Sequence, residues 1–280
     1  MMTFTLGYLG PSGTFTEEAA LKYCRQESGD GVNLKEYSTI DRVIEGISSQ
    51  EIDRGLVPLE NSLEGSVRLT MDMLASCEGV YIYKEMVCAV SHCLLAPEGV
   101  RIGEIQELYS HPQVFSQCRS HIMENLPQAK QVPCYSTAAA VSLVAEKNGK
   151  NKAAIASIRA SQLSGLNVLE TGLEDNGDNR TRFVVLSHSD NPPTGADKTS
   201  VILSIKDGPG SLYNILGVFA LRGINLTRIE SRPARKNLGD YLFFIDFEGH
   251  REERKIQEAL EELQEQIVFY KMLGSYPAAL

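Results

Sequence analysis

A polar stretch from Ser187 to Lys198 divides the chain into two parts that differ in their order of strands and helices. It contains the run Asn191-Pro192-Pro193-Thr194-Gly195, whose composition is typical of a linker. Before it, apolar runs of strand length alternate with helical patterns, which predicts parallel sheets joined by helices. After it, the pattern predicts the order βαββαβ. We therefore predict an α/β protein with one domain at 1–188 and another at 198–280.

The first domain is predicted to consist of two lobes. Its strand and helix rhythm restarts near residue 80, and the strand Arg182 to Leu186 can return to pair with the first lobe. Lobe one then covers about 1–80 plus 177–188, and lobe two about 81–176. Two lobes with a crossing segment imply a cleft that closes on a small ligand.

Composition and charge exclude several classes of protein. The hydrophobic fraction of 42% and the charged fraction of 22% are typical of a soluble globular protein. A net charge of −9 repels nucleic acid and anionic membranes. The first ten residues show no signal-peptide pattern, so a cytoplasmic location is predicted. The six cysteines form no Cys-x-x-Cys pair, so we expect reduced thiols and no metal site.

The first candidate site is the polar run Asp175 to Arg180, which leads directly into an apolar strand. A loop of this kind presents Thr181 and Arg182 on a rigid element, where functional side chains are often placed. Because neighbouring residues on a strand point to opposite faces, Arg182 either pairs with a bound anion or forms a structural ion pair away from Thr181.

The second candidate site is the turn Gly10 to Thr16 between the first strand and the first helix. Its glycines allow tight backbone geometry, and Thr14 or Thr16 can cap the helix. The turn is either an ordinary connection or a loop whose amides, from Ser12 to Thr14, bind a carboxylate.

Further polar residues follow strands in the predicted sheets. Asn61 and Ser62 lie after the third strand, where ligands collect in doubly wound folds, although they can also simply shape a turn. Ser110 ends a short strand, and Gln117 lies two turns into the next helix, so both can reach one cleft. His111 precedes a proline at the start of that helix and is either a proton-transfer group or a cap.

Short motifs in a fixed order resemble those of prephenate dehydratases. They are Gly10-Pro11-x-Gly13-Thr14-Phe15-Thr16, Pro58-Leu59-Glu60-Asn61-Ser62, Ser110-His111-Pro112-Gln113, Gln117-Cys118 and Thr181-Arg182-Phe183. The tail is similar to the ACT regulatory domain, a ferredoxin-like βαββαβ fold, with Gly210-Ser211-Leu212-Tyr213 in place of Gly-Ala-Leu-Val and with Glu230-Ser231-Arg232-Pro233 intact. Each motif is weak alone, but the ordered set is specific and covers nearly the whole chain.

The resemblance implies the conversion of prephenate to phenylpyruvate, with loss of carbon dioxide and water, on the way to phenylalanine. It also implies a two-lobed catalytic domain resembling periplasmic binding proteins, and the monofunctional bacterial form of the enzyme. The reaction needs a site that holds a dianion and assists a leaving hydroxyl, so no metal or organic cofactor is expected.

The resemblance also assigns roles to residues. Thr181 is the residue essential for activity, and its hydroxyl is expected to donate a hydrogen bond to the departing hydroxyl. The other residues implied to contact the substrate are Ser12, Thr14, Glu60, Asn61, Ser62, Ser110, Gln117 and Arg182. Glu60 is either a protonated acid or a support behind the substrate, because a carboxylate repels a dianion.

In the ACT domain the resemblance places phenylalanine, as a feedback inhibitor, at the interface of two subunits. The residues implied to contact it are Gly210, Ser211, Leu212, Asn225, Glu230 and Ser231. Ser211 and Tyr213 depart from the family pattern, which puts the affinity for the effector in question. A site made by two subunits implies a homodimer or homotetramer.

Two alternatives are left open by the sequence. The chain is either a prephenate dehydratase or an arogenate dehydratase, which performs the same elimination on an amino acid substrate. The alternative outside the enzyme class is a non-catalytic amino acid sensor, although Thr181, Asn61 and Gln117 argue against a mere sensor.

Overall fold

A computed structural model describes residues 4–27, 31–146, 151–206, 208–233 and 241–279. The strands are β1 (Phe4–Leu9), β2 (Val32–Tyr37), β3 (Arg54–Asn61), β4 (Gly65–Ser66), β5 (Tyr81–Ala89), β6 (Cys93–Ala96), β7 (Glu107–Ser110), β8 (Lys130–Pro133), β9 (Lys152–Ala156), β10 (Asn167–Thr171), β11 (Arg180–Ser187), β12 (Asp197–Ile205), β13 (Leu226–Pro233), β14 (Tyr241–Glu248) and β15 (Ile267–Pro277). The helices are α1 (Phe15–Glu27), α2 (Ile40–Ser48), α3 (Arg68–Ser76), α4 (Pro112–Gln117), α5 (Arg119–Asn125), α6 (Thr137–Glu146), α7 (Ile158–Ser164), α8 (Ser211–Leu221) and α9 (Arg254–Gln264), with a short 3-10 helix at Ile102–Glu104. No helix in these ranges is both long and apolar enough to cross a membrane.

The first sheet has the strand order β2-β1-β3-β11-β5, and β4 pairs with the end of β3. Strands β1 and β2 are parallel, as the alternating rhythm predicts. The middle parts of the central strands β3 and β11 are apolar; Leu56, Val57, Val184 and Val185 are fully buried. Continuous apolar runs of this kind are expected in strands that are covered on both faces.

The chain passes from the first sheet to the second at residues 90–92, where the sequence predicts one long strand from Met86 to Leu95. That prediction is wrong, because the segment is two strands, β5 in the first sheet and β6 in the second. The backbone amides of Val90 and His92 are taken by Asn179 and by the carboxylate of Glu174, so they do not continue a ladder. An apolar run cannot reveal this break, since residues on both sides of it are buried.

The second sheet has the order β10-β6-β9-β7-β8, with β7 parallel to both β8 and β9. Its two faces carry alternating residues of the same strands. One face packs Leu94, Leu108 and Ile155 against α4 and α5. The other packs Leu95 and Tyr109 against α6. Since side chains alternate across a strand, helices cover both faces of this sheet.

Cysteines in these cores behave as small apolar residues. Cys93 and Cys118 are buried, and burial raises the pKa of their thiols to about 11 and about 12. All six cysteines of the chain are free thiols. Burial keeps Cys93 and Cys118 protonated near neutral pH, which suits a packing role.

The third sheet is antiparallel, with the order β13-β14-β12-β15, and α8 and α9 pack on one of its faces. The predicted order βαββαβ is confirmed by this arrangement. Inward side chains such as Val201, Leu203 and Ile245 form the core with Phe219 and Ile256.

Close contacts divide the molecule into two compact units. The first contains residues up to 43, 56–67 and 87–183, and the second contains 44–55, 68–86 and the chain from 184 onward. These units do not coincide with the predicted domains, because α3 and the start of β5 belong with the carboxyl-terminal part.

Candidate active site

A cavity of about 490 Å³ lies within the first unit. This volume is in the range of small-molecule sites. Its lining residues are Phe15, Thr16, Pro58, Asn61, Glu64, Gly65, Ser66, Val67, Val90, His92, His111, Gln113, Val114, Gln117, Tyr135, Ser136, Thr137, Asn179, Thr181 and Phe183. The ends of β3 and α4 and the start of β11 therefore meet at one cavity.

Asn61, at the end of β3, is oriented by the backbone that follows it. Its Oδ1 accepts hydrogen bonds from the amides of Leu63, at 3.0 Å, and Glu64, at 3.1 Å. A backbone N–H is always a donor, so the two amides identify the oxygen end of the Asn61 side chain. The Nδ2 group must then be the end that donates into the site.

The Nδ2 group of Asn61 is bonded to two side chains of the segment that enters β11. It lies 2.9 Å from Thr181 Oγ1 and 2.9 Å from Asn179 Oδ1. Thr181 is nine-tenths buried and accepts this bond, so its own O–H proton is not used toward Asn61. Asn179 is fully buried, and its oxygen end is fixed by the same donor.

The hydrogen-bond chain continues from Asn179 to the opposite side of the cavity. Asn179 Nδ2 lies 3.4 Å from Gln117 Oε1, and His92 Nε2 lies 2.9 Å from the same oxygen. Because Gln117 Oε1 accepts from Asn179, the bond from His92 must be donated by its Nε2–H. His92 is then the neutral Nε2–H tautomer.

Burial supports a neutral His92. Its side chain lies edge-to-face on Phe15, with ring centroids 5.3 Å apart, and the residue is 1% exposed. Desolvation lowers the pKa of His92, while the hydrogen bond to Gln117 and the charge of Glu174 oppose that shift. In the described part of the chain, His92 Nδ1 has no hydrogen-bond partner.

Comparison with known proteins identifies the family to which the chain belongs. The family model for prephenate dehydratase matches residues 6–191, and the model for the ACT domain matches residues 199–265. The chain belongs to the prephenate dehydratase family. The cavity lies within the segment matched to the catalytic model, and β13, β14, α8 and α9 lie within the ACT match.

Related proteins match along nearly the whole chain. A bifunctional chorismate mutase/prephenate dehydratase of Aquifex aeolicus is 42% identical over 98% of this chain and 74% of its own length. A prephenate dehydratase of Methanocaldococcus jannaschii is 38% identical over 96% of this chain and 97% of its own length. The crystal structure of a prephenate dehydratase from Arthrobacter aurescens in complex with L-Phe has a TM-score of 0.89, 36% identity and coverage of 98% of this chain and 90% of that one.

Three of the residues predicted to act on the substrate are brought together. Asn61, Gln117 and Thr181 all line the cavity and are joined through Asn179. Gln117 is the last residue of α4, and the helix is interrupted at Cys118 before α5 begins. The sequence predicts one helix through Phe115, Gln117, Cys118 and Ile122, but the structure has two, and the break places Gln117 at a helix end.

Glu60, Ser62 and Arg182 lie near these residues but do not line the cavity. Glu60 pairs with Ser66 in the short β3–β4 ladder. The Ser62 hydroxyl accepts a hydrogen bond from the Arg180 amide at 3.0 Å and so holds the turn to β11. Arg182 is flanked by the cavity residues Thr181 and Phe183, which agrees with the expected alternation along a strand.

The glycine turn before α1 binds carboxylates of the protein itself. The Ser12 amide and hydroxyl donate to Glu36, at 2.8 and 2.7 Å, and the Gly13 amide donates to Glu17 at 2.6 Å. Neither Ser12 nor Thr14 lines the cavity, and Thr14 caps the helix by accepting from the Glu17 amide. These amides are engaged by internal carboxylates, so the expectation that they face a substrate carboxylate is not supported by the structure.

The glycines of this turn are required by close approach. Gly13 has a φ of +86° and its carbonyl accepts from the Ser157 hydroxyl at 2.9 Å. A Cβ on Gly10 would lie 2.3 Å from Glu36 Cγ. In the glycine pattern that suggests an anion site, Gly10 therefore allows the turn to approach β2, and Gly13 allows it to approach the start of α7.

Ser110 and His111 take structural positions. Ser110 is fully buried, and its hydroxyl donates to the Ile155 carbonyl at 2.7 Å, away from the cavity lining. The expectation that Ser110 orients the substrate is therefore not supported. His111 caps α4, since its Nδ1 accepts from the Gln113 amide, and it also lines the cavity.

The predicted effector residues lie at the start of α8 and in or next to β13. Ser211 and Leu212, at the start of α8, line a cavity of about 150 Å³ together with Tyr241 and Phe243 of β14. Gly210 is the N-cap residue of α8, with a φ of +82°. Asn225 donates to Glu248, and Glu230 pairs with Arg228.

Glu230 and Ser231 belong to β13, an edge strand that is separated from β12 by β14. Neither residue lines the cavity at the start of α8. Ser231 pairs in the sheet with Phe243, which does line that cavity, and an effector site shared by two subunits stays a prediction.

Sequence reasoning missed two functional candidates, His92 and Asn179. His92 lies in the apolar run mistaken for one strand, where a lone histidine gives no signal of its surroundings. Asn179 stands two residues before Thr181 in a loop with several polar residues. Only the fold shows that Asn179, unlike its neighbour Asp178, is fully buried.

Proposed function

We propose that the cavity binds prephenate and converts it to phenylpyruvate, with Thr181 donating a hydrogen bond to the leaving hydroxyl. The observation that carries this assignment is the bond from Asn61 Nδ2 to Thr181 Oγ1. Thr181 accepts that bond, so its proton is available to a group in the cavity. The proposed reaction rests on family membership, and the proposed role of Thr181 rests on the direction of its hydrogen bond with Asn61.

The reaction requires assistance to the ring hydroxyl as it leaves. The bond between the ring and its carboxylate breaks, carbon dioxide leaves, and the electron pair forms a ring double bond as the carbon–oxygen bond of the ring hydroxyl breaks. The departing oxygen takes a proton and leaves as water, and aromatisation drives the step. A threonine hydroxyl is too weak an acid to yield its proton outright, so Thr181 stabilises the departing oxygen and relays a proton from water.

The substrate dianion must be held without a nearby cationic side chain. No lysine or arginine is among the described residues that line the cavity. The amino-terminal end of α6 contributes Ser136 and Thr137, and the Ser136 hydroxyl accepts from the Ala139 amide at 3.0 Å. Free amides and the helix dipole favour an anion at such an end, so we assign one substrate carboxylate to it.

The test is product analysis with purified protein. Phenylpyruvate formed from prephenate supports the proposal, whereas phenylalanine formed preferentially from arogenate assigns the chain to arogenate dehydratases instead. Failure with both substrates, combined with tight phenylalanine binding, would assign the chain to amino acid sensors.

We also propose that phenylalanine inhibits the enzyme through the ACT domain. The similar Arthrobacter aurescens protein was crystallised with L-Phe, and the ACT match covers residues 199–265. The family resemblance places phenylalanine between two ACT domains, so the proposed site requires at least a dimer. Phenylalanine should inhibit turnover and stabilise the dimer in sedimentation experiments; inhibition of a strictly monomeric protein would contradict the two-subunit site.

A further inference from the structure

Asn179 connects the two sides of the cavity. Its Oδ1 accepts from Asn61 Nδ2 at 2.9 Å, and its Nδ2 lies 3.4 Å from Gln117 Oε1. Its backbone groups are also engaged, the amide by the Asn176 carbonyl and the carbonyl by the Val90 amide. The residue is fully buried, so the side chain has little freedom to turn away from these partners.

The direction of every bond in this chain follows from the two amides that bind Asn61. Those amides force Asn61 Oδ1 to accept, so Asn61 Nδ2 donates to Asn179. The oxygen end of Asn179 is thereby fixed, and its Nδ2 donates to Gln117. Gln117 Oε1 then accepts from both Asn179 and His92. The Nε2 amino group of Gln117 is left for a group in the cavity.

We propose that Asn179 is a positioning residue that carries the direction of hydrogen bonding set at Asn61 across the cavity to Gln117, and so leaves the Gln117 amino group for the substrate. The inference rests on the proposed function of the same site. An asparagine is required because one side chain must accept on one side and donate on the other. An ionised aspartate of the same shape accepts on both sides, and alanine does neither.

Reversing the direction of the hydrogen bond between Asn179 and Gln117 also affects His92, which is bonded to Gln117. With an aspartate at position 179, Gln117 must turn its amino group toward the new carboxylate. Its oxygen then no longer faces His92, and His92 Nε2 meets an N–H donor instead. The imidazole must accept there, so its proton moves to Nδ1. Asn179 therefore controls the tautomer of His92 without touching it.

The experiment uses the full chain labelled with ¹⁵N in its five histidines. Two-bond ¹H–¹⁵N correlation spectra distinguish the two neutral tautomers and the charged form, and a His92→Gln variant assigns the His92 signals. We expect the Nε2–H tautomer for His92 in the unmodified protein and the Nδ1–H tautomer in Asn179→Asp. An Nδ1–H tautomer in the unmodified protein overturns the proposal before any variant is made.

A matched control is available in the same loop. Asn176 accepts from the Asp178 amide through its Oδ1, and the side chain is exposed. Asn176→Asp makes the same chemical change three residues away and keeps that accepting oxygen. It should leave the His92 tautomer and kcat unchanged, whereas Asn179→Asp should lower kcat by about 10- to 100-fold with a smaller change in KM.

A second variant keeps the test decisive if Asn179→Asp does not fold. Asn61→Asp still accepts from the amides of Leu63 and Glu64 but cannot donate to Asn179. Asn179 must then turn over, and the reversal should reach His92 through Gln117. An unchanged Nε2–H tautomer in folded Asn61→Asp or Asn179→Asp overturns the proposal. These spectra need no substrate, so they decide it even if prephenate is not the substrate.

Discussion

The molecule contains two polar networks, one partly buried and one fully buried, that differ in whether all their donated hydrogens find an acceptor within the network. In the first unit, Asn61, Asn179, Gln117, His92 and Thr181 line a cavity and leave the Thr181 hydroxyl proton and the Gln117 amino group without an acceptor among the described residues.

In the second unit, the network of Ser200, Asp246 and Tyr276 is closed. The Ser200 hydroxyl donates to Asp246 Oδ1 at 2.6 Å, so the contact of 2.5 Å between Ser200 and Tyr276 must be donated by the tyrosine. Both hydroxyl protons are engaged within the network, and all three residues are buried. The first network therefore has the properties of a site, and the second those of a structural support.

The largest effect is expected at Thr181. Thr181→Val keeps the shape of the side chain but removes the donated hydrogen bond, so kcat should fall at least about 100-fold, or about 3 kcal/mol in barrier, by analogy with one oxyanion-hole donor. Steady-state assay of phenylpyruvate formation measures the loss. The free energy of unfolding should change by only about 1 kcal/mol, because one accepted bond is removed.

Thr181→Ser is the matched control, since it retains the hydroxyl on a smaller side chain. Thr181→Ser should retain most of the activity that Thr181→Val loses. Near-normal turnover by Thr181→Val would show that Thr181 has no role in the mechanism. The network in the cavity would then be a structural support, like the network of Ser200.

In the network of Ser200, Asp246 and Tyr276, a substitution is expected to lower stability and to leave activity unchanged. Ser200→Ala removes the hydrogen bond donated to the buried Asp246 carboxylate and the one accepted from the Tyr276 hydroxyl, which should lower the free energy of unfolding by about 2 kcal/mol. Denaturant unfolding measures this loss, and kcat at 25 °C should stay unchanged. Ser142→Ala, on the exposed face of α6, is the control and should change stability by less than about 0.5 kcal/mol.

Much of the fold was predictable from the sequence because element order depends on local patterns. The βαββαβ order after the linker and the short strand Glu107–Ser110 are confirmed. The break near Val90 was missed because it depends on hydrogen bonds from distant residues, which hydrophobic periodicity does not contain.

The site was less predictable, for a related reason. Polar residue type identified Asn61, Gln117 and Thr181, but it also selected Ser110, whose hydroxyl is bonded inside the second sheet. Which polar side chains are engaged internally is decided by contacts between segments far apart in sequence. Asn179 became a candidate only when its two partners were known.

A third comparison concerns β13, the strand that carries the predicted effector residues Glu230 and Ser231. Arg232 of β13 donates to the Arg68 carbonyl at 2.8 Å and pairs with Asp72 of α3 at 2.8 Å. The helix α3 follows directly after the cavity residues Ser66 and Val67. Arg232→Met should therefore weaken phenylalanine inhibition several-fold, or about 1 kcal/mol of coupling, and leave kcat without phenylalanine within about two-fold.

Inhibition curves at several phenylalanine concentrations measure this coupling. Arg254→Met is the control, because it removes an equivalent charge from the exposed Arg254–Glu258 pair of α9. If Arg232→Met is inhibited at the same phenylalanine concentration as the unmodified protein, the contact between β13 and α3 does not carry regulation.

The effect of acid on stability also separates the two networks. Burial lowers the pKa of His92 from its ordinary value of 6.5, so below pH 6.5 the unfolded chain binds a proton that the folded chain does not. Stability should therefore fall with decreasing pH, by up to about 1.4 kcal/mol per pH unit from this residue, until the lowered pKa is reached. Denaturant unfolding between pH 7 and pH 5 should show a shallower dependence for His92→Gln, which keeps an amide donor for Gln117. Ser200→Ala should keep the slope of the unmodified protein, and an unchanged slope in His92→Gln would show that His92 is not held neutral.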